Sequence, residues 1–419
     1  MKVEFISPFL LVVGFYFSYS ILAYLQILFL GNVFFKSFFL KIIFVILISL
    51  VFLLKSRIKL SKDLLSVFIL LYLSYNFISF LALRRFEYNF NYWVFSFFSQ
   101  QFWFFGVSLL YLFLGKQRSL KIFLYIRRFL FALFFLNLPI GLMQFITNEV
   151  ILPVESNDNY FKTMSFQFYG SVRSFGFMAS PLDFGLLNAM IYFICLSDIL
   201  FVKSSLYKKY LKVFVLVLSI GGIYISMTRN VYLLVFLGTL FLIALKVKSK
   251  LFLFMMPLVN FLIVLMVVIL GSSIFLSGNV TILKSHSLLT RLYEWSFFMD
   301  LISKANFIDK LIGMGIIQNN KLYIIHLPID NIFLSIVLYN GLIGLLFFLL
   351  IFLFVYYKLL HVILFLTRNE NKITVNHSVV IASGSFLYGF LAFSSFNNYY
   401  PLIYIFFLLP LLSLKFSWR

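Results

Sequence analysis

Apolar runs of roughly 17 to 25 residues recur along this chain, and short polar stretches between them carry most of its charge. A run of about 20 residues, rising 1.5 Å per residue as a helix, crosses the roughly 30 Å hydrocarbon core of a bilayer. In that medium no water pairs with backbone N–H and C=O groups, so such a run is confined to a helix. Composition agrees. The chain is 63% hydrophobic and 11% charged, where a soluble domain is nearer half apolar and a quarter charged. The sequence therefore predicts an all-α polytopic membrane protein with one integral domain over residues 1–419.

Twelve runs read as spans: 7–30, 38–54, 64–83, 91–115, 123–146, 177–202, 211–227, 230–246, 251–276, 329–357, 376–395 and 400–415. A formal charge of +21 raises the question of nucleic acid. The basic residues, however, fall in short clusters between spans, as topology determinants do, so no nucleic-acid partner is expected. Leaving aside Lys41, Arg127 and Arg128 within spans, they divide 20 to 11 between the two sides. The positive-inside rule then puts both termini in the cytoplasm and turns the polar loops 147–176 and 277–328 outward. Cys195 stands alone in an apolar span, and His286, His326, His361 and His377 are scattered. Neither pattern makes a disulfide or a zinc site, and no cofactor or metal is expected. No cleavable signal peptide is read at the start, because the first span is followed at once by a second.

Three arginines on the outward side lie in apolar surroundings: Arg173 in SVRSFGF, Arg229 in SMTRN and Arg291 in LLTRLYEW. A guanidinium is costly in hydrocarbon and cheap at the interface, so Arg229 alone fits a phospholipid headgroup anchor equally well. Three on one face also fit a diphosphate, because Arg binds phosphate oxygens bidentately and stays charged. Residues 288–303 have apolar positions at helical spacing and include Tyr293, Glu294 and Trp295. They read as an interfacial helix on the outer surface. Gly313 and Gly315 form a turn beyond it. Asp330-Asn331, nine residues, Gly341, two residues and Gly344 then open the tenth apolar run. Asp330, His326 and Glu294 are the candidates to deprotonate or orient a hydroxyl. Asp330 also suits a helix N-cap, and Glu294 also suits a partner for Arg291 or Arg173. Pro139 with Gly141 should kink the fifth span, and Gln144 there either meets sugar or bonds another helix. Arg127 and Arg128 read as orientation anchors.

In order along the chain stand PIGLMQF (139–145), R-x-x-G-F-x-x-x-P (Arg173, Gly176, Phe177, Pro181) and S-x-T-R (Ser226, Thr228, Arg229). R-x-x-x-W (Arg291, Trp295), IGMG (312–315) and N-x9-G-x2-G from Asn331 follow. In this order and spacing, roughly residues 135–350 resemble the O-antigen polymerase and O-antigen ligase superfamily of bacterial envelope enzymes. The resemblance implies a GT-C-type glycosyltransferase of about 12 helices in the inner membrane. Its large periplasmic loop, 277–328 between the ninth and tenth helices, would cap the active site with amphipathic helices. It implies metal-independent, inverting transfer of glycan from undecaprenyl pyrophosphate. Arg229 and Arg291, with Arg173 as a third partner, would hold the pyrophosphate. Donor and acceptor would both be undecaprenyl-pyrophosphate-linked oligosaccharides amid membrane lipids, and a chain-length regulator protein is the expected partner. The ligases carry His-Asn where this chain has Asp330-Asn331, which favours a polymerase of lipopolysaccharide or other surface polysaccharide. The alternatives are a ligase acting on lipid A core or protein, and a flippase of lipid-linked oligosaccharide.

Overall fold

The computed structural model describes residues 63–82, 121–149, 167–168, 171–178, 180–262, 286–313, 331–368, 373–394, 410–411 and 413–414. Within them the chain is almost entirely helical. The helices are α1 (Leu64–Ala82), α2 (Lys121–Thr147), α3 (Pro181–Phe201), α4 (Leu206–Ile225) and α5 (Arg229–Val247). They continue with α6 (Lys250–Leu262), α7 (His286–Lys304), α8 (Phe307–Ile312), α9 (Ile332–Arg368) and α10 (Val375–Ser394). One two-residue hairpin, β1 (Gln167–Phe168) and β2 (Ser171–Val172), pairs antiparallel. The expected spans 7–30, 38–54 and 91–115 lie outside the described residues.

Among the described residues, four helices are long and apolar enough to cross a membrane: Phe123–Thr147, Pro181–Phe201, Arg229–Val247 and Asn340–Arg368. The surface supports the same reading. Along α4, Tyr207, Tyr210, Phe214, Val217 and Tyr224 are all exposed. Spaced at helical periodicity, they form an apolar stripe that water would penalise and lipid accepts. The molecule is a membrane protein.

The bundle is organised around α3, which packs on α2, α4, α5 and α10. Its spanning window is 78% buried, against 39–44% for the other three, so α3 is the helix screened from lipid. Its sequence suits that place. Phe184, Phe193 and Met190 fill volume, while Gly185, Asn188, Ala189 and Ser197 let neighbours approach. Small residues do this wherever lipid removes the hydrophobic drive between helices. Ser180 caps α3, accepting from Asp183 N at 3.2 Å, and Pro181 sits at the first turn, where its missing N–H costs nothing.

At the opposite end of α3 lies a buried ion pair. Arg127 of α2 meets the Asp198 carboxylate at 2.6 Å, Lys212 of α4 approaches it at 3.9 Å, and Arg127 donates to Ser378 Oγ of α10 at 3.4 Å. Asp198 is fully buried near a helix C-terminus, where the helix dipole disfavours an anion. Arg127, expected as an interfacial anchor, instead ties four helices together through this carboxylate.

The tenth apolar run is not one continuous helix. Gly341 adopts φ 67° and ψ −172°, which breaks α9 into Ile332–Asn340 and a long span beyond. A Cβ at Gly341 would overlap the Leu311 carbonyl and the Gly313 amide, so only glycine lets α8 and the turn after it seat on the break. Tyr75 of α1 donates to the Asn340 carbonyl at 2.5 Å, satisfying one carbonyl at the end of the short piece.

Candidate functional site

Between the hairpin and α3, residues Arg173–Met178 run as irregular backbone packed into the bundle. Irregular backbone survives beside lipid only when protein satisfies its polar groups. Helix α2 supplies the partners. The Gln144 Oε1 accepts from Phe175 N at 3.0 Å and Gly176 N at 2.9 Å, and its Nε2 donates to Gly176 O at 3.3 Å. Asn137 Oδ1 accepts from Phe177 N at 2.8 Å, and Asn148 Oδ1 accepts from Val172 N at 2.6 Å. Ser174 donates through Oγ to Gly141 O at 2.7 Å and through N to Ile225 O at 3.1 Å. Asn137 and Gln144 are seven residues apart, two helical turns, and therefore share a face. Gly176 has φ 59°, and a Cβ there would lie 2.9 Å from Asn137 O.

This stitching delivers Arg173 to the turn between α4 and α5. Arg173 Nε donates to Ser226 O at 3.5 Å, and its Nη2 donates to Thr228 Oγ1 at 3.3 Å. The turn is tight: Met227 has φ 48°, Ser226 Oγ donates back to Ile223 O at 2.6 Å, and Thr228 Oγ1 donates to Ser226 O at 3.0 Å. Arg229 follows directly as the first residue of α5 and is exposed. No acid stands in the first turn of α5, and Thr228 makes no side-chain cap there. A cation at a helix N-terminus opposes the dipole, and the two together make a positive locus suited to an anion.

Of the sequence-predicted residues, the structure thus joins Arg173 to the turn that carries Arg229. Arg291, Tyr293 and Glu294 lie on α7, whose helix matches the expected 288–303 closely. That helix is not merely laid on a surface. Trp295 and Phe298 are 0% and 1% exposed, and α7 packs on α9. Gly313 ends α8 with φ 94°, its N donating to Asp309 O at 2.9 Å. His326, Asp330 and Gly315 lie outside the described residues. The cap of α9 is Asn331 rather than Asp330: its Oδ1 accepts from Phe333 N at 2.9 Å and Leu334 N at 3.1 Å.

Sequence reasoning missed the positioning roles of Asn137, Asn148 and Ser174, and it gave Gln144 other partners. The available signal was the pair of amides two turns apart in an apolar helix, since a polar side chain in a span needs a partner. No protein-family model matches this sequence, and no curated protein or solved structure matches it either.

Proposed function

We propose that the chain is a bacterial surface-polysaccharide polymerase. It transfers a growing glycan from undecaprenyl pyrophosphate to a sugar hydroxyl of a new lipid-linked repeat unit, at the periplasmic face of the inner membrane. The observation that carries this reading is the junction of Arg173 with the Ser226–Thr228 turn, beside Arg229 on a helix start with no acid in its first turn. A pair of guanidinium groups anchored on rigid elements suits the charge that grows on a departing pyrophosphate. In the step, the acceptor oxygen bonds to the anomeric carbon as the bond from that carbon to the pyrophosphate oxygen breaks. The electron pair leaves with the pyrophosphate, held by Arg173, Arg229 and Arg291. The hydroxyl proton passes to Asp330 or His326, with Glu294 orienting Arg291. No metal or nucleotide sugar takes part.

The test is reconstitution. Full-length protein in nanodiscs receives one synthetic undecaprenyl-pyrophosphate repeat unit without metal, sugar nucleotide or lipid A core. A ladder on a gel that disappears in Arg291→Ala, at equal expression, is the expected result. Transfer that occurs only once lipid A core or an acceptor protein is supplied replaces the polymerase reading with the ligase one.

A further inference from the structure

The short helix Ile332–Asn340 begins at a side chain whose hydrogen bonding is incomplete. Asn331 is 0% exposed, and its Oδ1 is fully used by the Phe333 and Leu334 amides. Folded over the first turn in this way, the carboxamide holds its Nδ2 at the positive end of the helix. That Nδ2 is buried and has no hydrogen-bond partner. Leaving an amide donor unpaired and dry is costly, and native proteins seldom do so without a reason. One other buried atom without a partner differs in kind. The Asn188 Oδ1 is sealed in the bundle against Gly222, so closely that a Cβ at Gly222 would overlap it, and no ligand fits between them.

The helix that Asn331 starts is also held unusually firmly. Its far end is fixed by the Gly341 break, the α8 turn seated on that break and the Tyr75 hydroxyl. The element it opens, α9, packs against α7, the helix that carries Arg291. The geometry points to Asn331 Nδ2 as a hydrogen-bond donor to the sugar of the incoming acceptor unit. This inference rests on the polymerase reading and deepens it. The choice of a sugar oxygen follows from the chemistry. The first amides of the helix are already taken by Oδ1, so what remains is one neutral NH2 group, which suits a hydroxyl or ring oxygen. A pyrophosphate calls for charged, forked donors, and arginines supply them.

Asn331→Asp separates the two roles. An aspartate keeps the capping oxygen, at which Asp is as good as Asn, and removes the donor. Asn331→Ser caps through its hydroxyl, likewise lacks the Nδ2 donor and adds no charge. Asn331→Ala loses both. The acceptor is varied as a repeat unit on a lipid monophosphate, which can accept but lacks the pyrophosphate leaving group. Donor chain is held fixed, then varied in turn.

The expected result is a roughly 3- to 10-fold rise in acceptor KM in the Asp and Ser variants, with donor KM unchanged and thermal stability of the Ser variant no lower than wild type. The Ala variant should show the same KM and lower stability. An unchanged acceptor KM in both Asp and Ser, or a change confined to donor KM, overturns the assignment. Failure of the wild type to form any polymer sinks the polymerase reading instead. Occupancy by the acceptor unit in native mass spectrometry then still decides: weaker binding to the Asp and Ser variants upholds the donor role, and equal binding to all three proteins overturns it.

Discussion

Replacing Gln144 with Leu should uncouple the Arg173–Met178 segment from the bundle. Gln144 is 0% exposed and uses both ends of its amide, accepting from Phe175 N and Gly176 N and donating to Gly176 O. Leucine has similar bulk and no polar atom, so the substitution strands three backbone groups in an apolar surround. Each stranded buried group costs about 1–3 kcal/mol, which sets a floor near 3 kcal/mol unless the segment moves to find water. A loss of about 3 kcal/mol lowers the folding equilibrium by more than 100-fold, at about 1.4 kcal/mol per factor of ten. Titration with SDS in mixed micelles reads the global effect. Hydrogen exchange followed by mass spectrometry reads the local one, at the peptide containing Phe175 and Gly176. Faster exchange there, with α3 and α5 still protected, is the expected signature, and polymer formation should fall because Arg173 loses its anchor. A Leu variant with wild-type exchange at those two amides would refute the reasoning, whatever its activity.

Three further outcomes follow from the same geometry. Arg173→Lys keeps the charge but cannot reach Ser226 O and Thr228 Oγ1 together; polymer formation in the nanodisc assay should drop roughly 10- to 100-fold, with protein yield unchanged. Gly341→Ala forces a Cβ into the Leu311 carbonyl at positive φ and should destabilise by about 3 kcal/mol or more in the same SDS titration, with Gly221→Ala, whose Cβ would meet nothing within 4 Å, as the milder comparison. Arg127→Ala leaves the buried Asp198 carboxylate with only Lys212, at 3.9 Å, and should cost about 3–5 kcal/mol; Arg127→Met with Asp198→Leu should recover most of that loss, because apolar groups can replace a buried pair but not half of one.

The helices were legible because lipid imposes one rule on every residue of a span. Apolar length therefore located α2, α3, α5 and α10 to within a few residues of 123–146, 177–202, 230–246 and 376–395. The break in α9 was not legible. Gly341 stood out as part of the N-x9-G-x2-G pattern; its positive φ goes with the close seating of Leu311 and Gly313, about thirty residues earlier, and periodicity carries no information about such a pairing. The Arg127–Asp198 pair was missed for a similar reason. Arg127 has the sequence environment of an interfacial anchor, and only the packing of α2 on α3 reveals its carboxylate. For the site, Arg173 and Arg229 were grouped on chemistry, and the fold joins Arg173 to the turn before Arg229. The means of joining them, a stitched segment with three side-chain amides behind it, is a tertiary device that the polar loop 147–176 did not announce.

Two departures from regular helix carry residues named in the proposed chemistry, and each is handled by a buried side-chain amide. At Arg173–Met178 the Gln144 amide is satisfied at both ends, and Asn137 completes the set by donating from Nδ2 to Leu133 O at 2.8 Å while its Oδ1 receives Phe177 N. Nothing in that arrangement is left for a ligand, so its product is rigidity: it places Arg173 and holds it there. At the start of α9 the Asn331 amide is satisfied at one end only. The two side chains carry the same functional group and are equally buried, yet one closes its hydrogen bonds within the protein and the other does not. The donor left unpartnered at Asn331, at the start of a short helix broken from the span beyond it, is where an incoming sugar would complete the set.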